Sequence, residues 1–311
     1  MPAPSTPLGA LPARFRRPRV LVVGCGDVGV RTVALQPRVH WLALTSSPER
    51  RGELRQRGVR PLLGNLDAPS TLARLAGLAT HVLHLAPPPS EGSHDPRTRA
   101  LLRSLARGST PHALVYASTS GVYGDCGGEW VDEHRPLRPQ SARAERRVDA
   151  EQQVRHHARQ HGVRASVLRV PGIYAPDRVG GTPRERLLRG DPLLQASEDV
   201  YTNHIHADDL ARACWLALWR GGAVRSYHIS DDSPWTMGEY YTQAAALYGL
   251  PVPPRLSRAE VRARVSTMQW SFMRESRRLR NTRMKQELRL RLRYPDVLTG
   301  LRVSQNECSR P

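Results

Sequence analysis

The sequence predicts an α/β fold, with a doubly wound parallel sheet followed by a smaller C-terminal region. Apolar, strand-like runs alternate with helical segments, and the first run ends abruptly at a glycine-spaced turn. With 311 residues, the chain is long enough for one large domain or two small ones. Alternating strands and helices form βαβ units, which build parallel sheets with right-handed crossovers.

The first predicted strand, residues 20–23, leads directly into Gly24, Gly26 and Gly29. This GxGxxG spacing is typical of a turn that binds a dinucleotide. The first glycine makes the tight turn, the second lets the backbone approach a diphosphate, and the third lets the next helix pack closely. The alternative is an ordinary strand-to-helix turn. We predict that this turn binds a cofactor through Gly24, Gly26, Asp27, Val28 and Gly29.

The rest of the chain continues the alternation. Further strands are predicted at 39–45, 59–63, 81–86, 113–118, 165–170 and 225–230. Helices are predicted at 70–78, 96–107, 141–161, from 208 onward and at 236–248, with 255–311 helical in two pieces. The predicted organisation is a disordered tail at 1–17, a nucleotide-binding domain at 18–174, and a C-terminal substrate region at 175–311 that partly returns to the sheet.

The chain carries a net charge of +19, and Lys285 is its single lysine among 47 basic residues. A field this positive attracts phosphates. The arginines are spread along the whole chain, however, and no basic block is interleaved with aromatic residues as nucleic-acid stacking requires. We therefore predict a small-molecule substrate rather than a nucleic-acid partner. No apolar run approaches the about 20 residues that a membrane helix needs.

The cysteine and histidine patterns do not indicate a metal site. The four cysteines, at 25, 126, 214 and 308, are far apart and form no CxxC motif, which suits a reducing cytoplasm. His204 and His206 would share one face of a strand, but no third ligand lies near them in the sequence. We predict no bound metal and a cytoplasmic location.

Five motifs occur in an order that resembles a known family. They are GCGDVG at 24–29, HLA at 84–86, YASTSGVYG at 116–124, LRVPGIYAP at 168–176 and NHIHADDL at 203–210. The set is similar to the extended short-chain dehydrogenase/reductases, the NAD-dependent epimerase/dehydratase family. The resemblance implies a Rossmann domain and a possible homodimer through the helices at 97–107 and 141–161. It also implies cofactor contacts at Asn65, Leu66, Ala86, Pro87, Pro171, Gly172 and Ile173.

The residues after the second strand indicate which cofactor is bound. An acidic residue about 20 positions after the glycine turn would bind the ribose 2′-hydroxyl of NAD. Here Ser46, Ser47 and Arg50 occupy this stretch, and no Asp or Glu stands at the strand end. Hydroxyl groups followed by arginine suit a 2′-phosphate. We therefore predict NADP(H) rather than NAD(H).

The catalytic pair departs from the family pattern. The family places a Tyr, and four residues later a Lys, on the helix after the fifth strand. Arg143 and Arg147 stand at these positions, as in an atypical subgroup. Arginine stays protonated, so it cannot exchange a proton as tyrosine does. The pair shares one helix face and could clamp a ribose, a phosphate or a carboxylate, or stabilise an oxyanion. The alternative is two solvated arginines.

Two hydroxyl groups complete the predicted catalytic set. Thr119 aligns with the Ser/Thr of the family that hydrogen-bonds the substrate oxygen, and its alternative is a hydroxyl that caps a turn. Tyr123 could line the substrate pocket or replace the missing acid, and its alternative is packing.

Two functions follow from these features. The first is an NADP-dependent oxidoreductase or epimerase-like enzyme acting on a small polar or anionic substrate. In it, Thr119 orients the reacting oxygen, Arg143 offsets its charge, and the proton comes from Tyr123, a histidine or water. The second is a catalytically inactive NADP-binding redox sensor that acts through a protein or nucleic-acid partner. Both bind the cofactor, and only the first turns over a substrate.

Overall fold

A computed structural model describes residues 17–308 of the chain, with the side chains described as far as residue 302. Residues 1–16 of the predicted tail lie outside the described residues. The strands are β1 (Arg19–Val23), β2 (His40–Thr45), β3 (Val59–Leu63), β4 (His81–His84), β5 (Ala113–Thr119), β6 (Trp130–Val131), β7 (Arg164–Val170), β8 (Gly172–Tyr174), β9 (Leu193–Leu194), β10 (His204–His206), β11 (Arg225–His228), β12 (Arg255–Leu256) and β13 (Arg278–Leu279).

The helices fill the intervals between these strands. They are α1 (Asp27–Ala34), α2 (Arg50–Gln56), α3 (Pro96–Leu105), α4 (Ala142–His161), α5 (Arg184–Leu188), α6 (Ala207–Arg220), α7 (Met237–Tyr248), α8 (Arg258–Arg264), α9 (Thr267–Met273), α10 (Thr282–Glu287) and α11 (Val297–Cys308). Three short 3₁₀ segments, Pro69–Leu75, Ser120–Tyr123 and Ala196–Glu198, complete the elements. None of the helices within residues 17–308 has the length and apolar character to cross a membrane.

Seven strands form one parallel sheet in the order β11-β7-β5-β4-β1-β2-β3. The chain runs outward from β1 to β3 on one side, then returns to β4 and runs outward on the other side. The strand order therefore reverses beside β1, where Val23 pairs with Leu44 of β2 and His84 of β4. This topology confirms the predicted doubly wound fold and puts the glycine turn at the reversal point, where such sheets bind ligands.

The two faces of the sheet bury different side chains because successive residues of a strand point in opposite directions. Leu21, on one face, packs in a cluster with residues of α3 and α4. Val20 and Val22, on the other face, pack with α1 and α6. The predicted apolar positions of α6 are all buried, namely Leu210, Ala213, Cys214, Ala217 and Leu218. Both faces are thus covered by helices, as a parallel sheet requires.

The region from residue 175 onward adds one strand to the sheet and takes part in three small two-stranded pairings. β11 joins the sheet beside β7, whereas β8 pairs with β10, β9 with β12, and β6 with β13. The prediction of two helical pieces in 255–311 was wrong, because four helices occur between residues 258 and 308. Ser257 and Ser266 each form a capping box that starts a new short helix. The predicted helix at 70–78 is a 3₁₀ segment that begins at Pro69.

Candidate active site

The glycine turn joins β1 to α1 and has the geometry that its sequence predicted. Gly24 has φ +83°, and a Cβ at this position would lie 2.4 Å from the backbone nitrogen of Ala86. Gly29 packs against the Val22 and Cys25 side chains, with a Cβ–Cγ1 distance of 3.3 Å to Val22 if it were alanine. Gly26 has open space around its Cα, with no heavy atom within 4 Å of an added Cβ. Only Gly26 therefore leaves room for a ligand to approach the backbone.

Two clefts meet at this turn. The larger cleft, about 500 Å³, runs over the carboxyl ends of β1, β2 and β3. The smaller cleft, about 220 Å³, lies between the start of α1, the ends of β5 and β7, and Arg178. Gly24, Gly26 and Leu85 line both clefts, so the two spaces adjoin at the glycine turn.

Two arginines border the larger cleft, and both are held by protein contacts. Arg50 donates to the carbonyl oxygen of Cys25 at 2.9 Å, which places its guanidinium across the glycine turn. Arg97 makes a two-pronged ion pair with Asp67, with both N–O distances at 2.7 Å. The Arg97 hydrogen bonds lower the pKa of the Asp67 carboxyl. This pair lay beyond sequence reasoning, because 30 residues separate its members.

Arg147 borders the smaller cleft, at the carboxyl end of β5. It donates to the carbonyl oxygen of Ala117 at 2.7 Å and to the hydroxyl of Tyr116 at 3.0 Å. The guanidinium is therefore fixed against the strand end instead of extending into solvent. Arg143, one helical turn earlier, is exposed and lies over the ring of Phe272 at 4.6 Å. The two arginines share a helix face as predicted, but their guanidinium groups have different partners.

Most of the predicted cofactor residues line these clefts. The larger cleft includes Gly24, Gly26, Ser46, Ser47, Arg50, Asn65, Leu66, Ala86 and Pro87. The smaller cleft includes Gly24, Gly26, Asp27, Val28, Gly29, Ile173 and Arg147. Pro171 and Gly172 line neither cleft, although they directly precede Ile173. The structure thus brings together residues from four strand ends that the sequence predicted separately.

The two predicted catalytic hydroxyls differ in their surroundings. Thr119 ends β5 and is partly exposed, and its Oγ1 accepts a hydrogen bond from the Gly121 amide at 3.2 Å. This contact is the turn cap given above as the alternative, and it leaves the hydroxyl proton without an acceptor within residues 17–308. Within residues 17–308, neither hydroxyl lines a cleft, although Thr119 directly follows Ser118 of the smaller cleft. Tyr123 is fully buried.

The hydroxyl of Tyr123 is hydrogen-bonded to buried side chains. It lies 2.6 Å from His228 Nε2 and accepts from Arg169 at 2.5 Å. His228 Nδ1 donates to the carbonyl oxygen of Arg280, so its Nε2 accepts the tyrosine proton. Burial raises the pKa of Tyr123 and lowers that of His228 to about 3. These contacts correspond to the packing alternative and do not suit a proton donor to a bound substrate.

A buried acidic residue, Glu151, is hydrogen-bonded to a residue of the smaller cleft. Ser118, which lines this cleft, donates to Glu151 at 2.7 Å. Glu151 in turn accepts from Arg169 at 3.2 and 2.8 Å. Burial by itself would lower the pKa of Arg169, but the Glu151 carboxylate beside the guanidinium raises that pKa above its usual value. Glu151 was not predicted as a site residue, since an acidic residue within an arginine-rich helix gives no signal of burial in the sequence.

Comparisons with known proteins identify the family and the fold. The model of the NAD dependent epimerase/dehydratase family matches residues 26–230. No curated protein matches the chain. A solved structure of a functionally unknown conserved protein from Silicibacter pomeroyi is 31% identical, covers 94% of this chain and 100% of its own length, and has a TM-score of 0.78.

Two more distant structures share the fold. UDP-glucose 4-epimerase from Thermotoga maritima, solved with UDP-glucose, is 18% identical, with coverages of 93% and 99% and a TM-score of 0.74. A double mutant of dTDP-glucose 4,6-dehydratase from Streptomyces venezuelae, solved with NAD, is 22% identical, with coverages of 91% and 94% and a TM-score of 0.71. Since the family match spans well over half of the chain and includes Gly26 and Gly29, the chain belongs to the NAD-dependent epimerase/dehydratase family.

Proposed function

We propose that the protein is an NADP-dependent oxidoreductase or epimerase-like enzyme that acts on a small polar or anionic substrate. The observation that carries this proposal is the meeting of the two clefts at Gly24 and Gly26. A dinucleotide consists of two nucleotides joined by a diphosphate. Two adjoining clefts with a glycine turn and a helix N-terminus between them match that shape and charge.

The residues at the turn fit the cofactor. A Cβ at position 26 would extend into open space beside the backbone, and glycine leaves that space free for the diphosphate. Ser46, Ser47 and Asn65 would hold the adenosine half in the larger cleft, and Arg147 would hold the nicotinamide ribose in the smaller one. When bound, the nicotinamide supplies or accepts a hydride.

Three features of the larger cleft support NADP over NAD. Ser46, Ser47 and Arg50 line it beyond the end of β2, and no carboxylate stands at that strand end. Asp67, the acidic residue of the lining, is held by Arg97. Arg50 is fixed by the Cys25 carbonyl, which orders its guanidinium before a 2′-phosphate arrives.

The chain supplies binding and electrostatics around the reacting carbon. Arg147 is a permanent cation at the end of β5, so it would stabilise negative charge that develops on a substrate oxygen. Thr119, with a free hydroxyl proton, would orient that oxygen. Arg143 stacks on exposed Phe272 and would attract the anionic part of the substrate. No histidine of residues 17–308 lines either cleft, so we assign the proton to water.

The substrate class is proposed from the relatives together with these charges. The Thermotoga maritima epimerase was solved with UDP-glucose, which carries a diphosphate. Arg143 beside an exposed aromatic ring suits a substrate of that kind, because arginine binds phosphates and rings stack on sugars or bases.

Titration of purified protein with NADPH and NADH tests the cofactor. We expect tighter binding of NADPH, and an Arg50→Ala variant that binds NADPH about 10- to 100-fold more weakly with NADH unchanged. Arg51→Ala is the matched control, since Arg51 does not line the cleft. Failure of the wild type to bind either cofactor would contradict the proposal. A panel of carbonyl and nucleotide-sugar substrates then tests turnover.

No contact within residues 17–308 specifically favours the second hypothesis, a cofactor-binding sensor without turnover. Steep salt dependence of nucleic-acid binding that also responds to the cofactor would support it. The cytoplasmic location and the homodimer stay predictions from the sequence.

A further inference from the structure

A short loop closes one side of the smaller cleft. Residues 175–181 follow β8, and the ends of the loop are tied by a hydrogen bond from the Ala175 amide to the Gly181 carbonyl at 3.2 Å. Two side chains of the loop then reach the first helix. Asp177 pairs with Arg31 at 2.7 Å, and Arg178 pairs with Asp27 at 3.2 Å. The loop is thus fastened to the helix that begins at the glycine turn.

Asp27 is an acidic residue at a helix start, which suits the helix dipole but places a carboxylate beside the site of the cofactor diphosphate. It is the first residue of α1, where the helix amides would face the cofactor diphosphate. Two guanidinium groups compensate its charge, Arg31 at 2.9 Å and Arg178 at 3.2 Å. Arg31 also pairs with Asp208 of α6 at 2.6 Å, which holds its guanidinium between the two helices.

The two partners of Asp27 differ in how firmly they are held. Arg31 has three carboxylate partners and is largely buried. Arg178 has one partner within residues 17–308, is 30% exposed, and lines the smaller cleft together with Gly24 and Gly26. A single, partly exposed ion pair contributes little stability, so Arg178 can exchange Asp27 for a better anion at small cost.

We propose that Arg178 is a ligand of the cofactor diphosphate, an inference that rests on the proposed function. Without cofactor, the guanidinium of Arg178 pairs with the Asp27 carboxylate. When the cofactor binds, its diphosphate takes the place of this carboxylate. Arginine binds a phosphate through two parallel hydrogen bonds, which is stronger than the single contact to Asp27. Arg31 keeps Asp27 neutralised after the exchange, so no uncompensated carboxylate faces the diphosphate.

The charges that line the smaller cleft support this assignment. Its charged lining residues are Asp27, Arg147 and Arg178. Arg147 is already engaged by Ala117 and Tyr116 at the opposite side. Among the lining residues that the structure describes, Arg178 is therefore the cation that can move onto a dianionic diphosphate at the turn.

Four proteins test the inference by NADPH titration: the wild type, Arg178→Ala, Asp27→Asn and the double variant. Arg178→Ala is expected to weaken NADPH binding about tenfold. The same loss is expected when Asp27 is already Asn, because the lost contact is to the diphosphate. Arg178→Lys should recover part of the affinity.

These four proteins form a double-mutant cycle, which distinguishes binding of the diphosphate by Arg178 from neutralisation of Asp27 alone. If Arg178 only neutralises Asp27, the double variant will bind NADPH as well as Asp27→Asn does, which would overturn the inference. Arg189→Ala is the matched control, since it removes one exposed arginine from an ion pair with Asp191 outside both clefts. It should leave binding within about twofold. A wild type that binds no nicotinamide cofactor refutes the proposed function as well, whereas normal binding by Arg178→Ala refutes this inference alone.

Discussion

The guanidinium of Arg147 donates a hydrogen bond to the carbonyl oxygen of Ala117 at 2.7 Å. A long side chain from α4 is thereby fixed at the carboxyl end of β5, inside the smaller cleft. Its charge is permanent, because arginine does not lose its proton in proteins. Arg147, which the sequence predicts at the lysine position of the family, is thus a fixed cation. Arg143, predicted at the tyrosine position, cannot exchange a proton.

Arg147→Ala is expected to weaken binding of NADPH about tenfold and to leave binding of 2′,5′-ADP unchanged. The reason is that Arg147 lines only the smaller cleft, where the nicotinamide ribose would lie. Isothermal titration calorimetry with both ligands measures the difference. Arg143→Ala is the control for charge on the same helix face and should bind both ligands like the wild type. An equal loss for both ligands would place Arg147 elsewhere in the site.

Gly24→Ala and Gly26→Ala should have opposite consequences. At Gly24, φ is +83° and the added Cβ would meet the Ala86 backbone, so we expect a loss of about 2 kcal/mol or more in the free energy of unfolding. At Gly26, φ is −84° and the Cβ meets nothing. Gly26→Ala should therefore melt like the wild type. It should bind NADPH at least about tenfold more weakly, because the Cβ would block a hydrogen bond between the backbone and the diphosphate. Thermal melts and cofactor titrations of both variants test this, and tight NADPH binding by Gly26→Ala would refute the assignment.

Arg169→Met should destabilise the fold strongly. It leaves the Glu151 carboxylate, which is 1% exposed, without its two-pronged partner. Removing one member of a buried pair costs about 3–5 kcal/mol. Arg155, 3.7 Å from Glu151, offsets part of this loss. Urea denaturation measures the effect, and Arg189→Ala, at an exposed ion pair, should leave the midpoint nearly unchanged. A similar midpoint for both variants would contradict the structural role of the pair.

The protein should lose stability as pH falls through about 6.5. Burial lowers the pKa of His84 and His228 to about 3 and of His204 to about 4. Between those values and about 6.5, the unfolded chain binds protons that the folded chain does not, so acid favours unfolding. Asp231 acts in the opposite direction, because burial raises its pKa. The histidines outnumber it, because burial also lowers the pKa of His81, His157 and His206.

Thermal melts between pH 5.5 and 7.5 test the pH effect. Each buried histidine should contribute about 1 kcal/mol per pH unit below its unfolded pKa. His84→Gln should reduce the slope, whereas His40→Gln, at the exposed start of β2, should not. A melting temperature that is constant over this range would exclude the histidines as the cause.

The sheet and the glycine turn could be predicted because their signals are local. A Val-rich run marks a strand, and the spacing of Gly24, Gly26 and Gly29 reflects backbone needs within six residues. Ser46 and Arg50 were also within reach, since they directly follow a strand end and parallel strands end at one edge of the sheet. The prediction of two helical pieces beyond 255 was wrong because capping boxes at Ser257 and Ser266 start two separate short helices there.

The sequence by itself determined the fold, its family resemblance and the strand ends that form the clefts. The tertiary structure alone decided which charges meet. Arg178 and Asp27 are 151 residues apart, and Arg169 reaches Tyr123 across 46 residues. The pattern of either segment is the same whether its side chain is solvated, buried or paired. Burial and pairing depend on which segments the sheet and its crossovers bring together. The contacts of these side chains therefore follow from the tertiary structure and not from the local sequence.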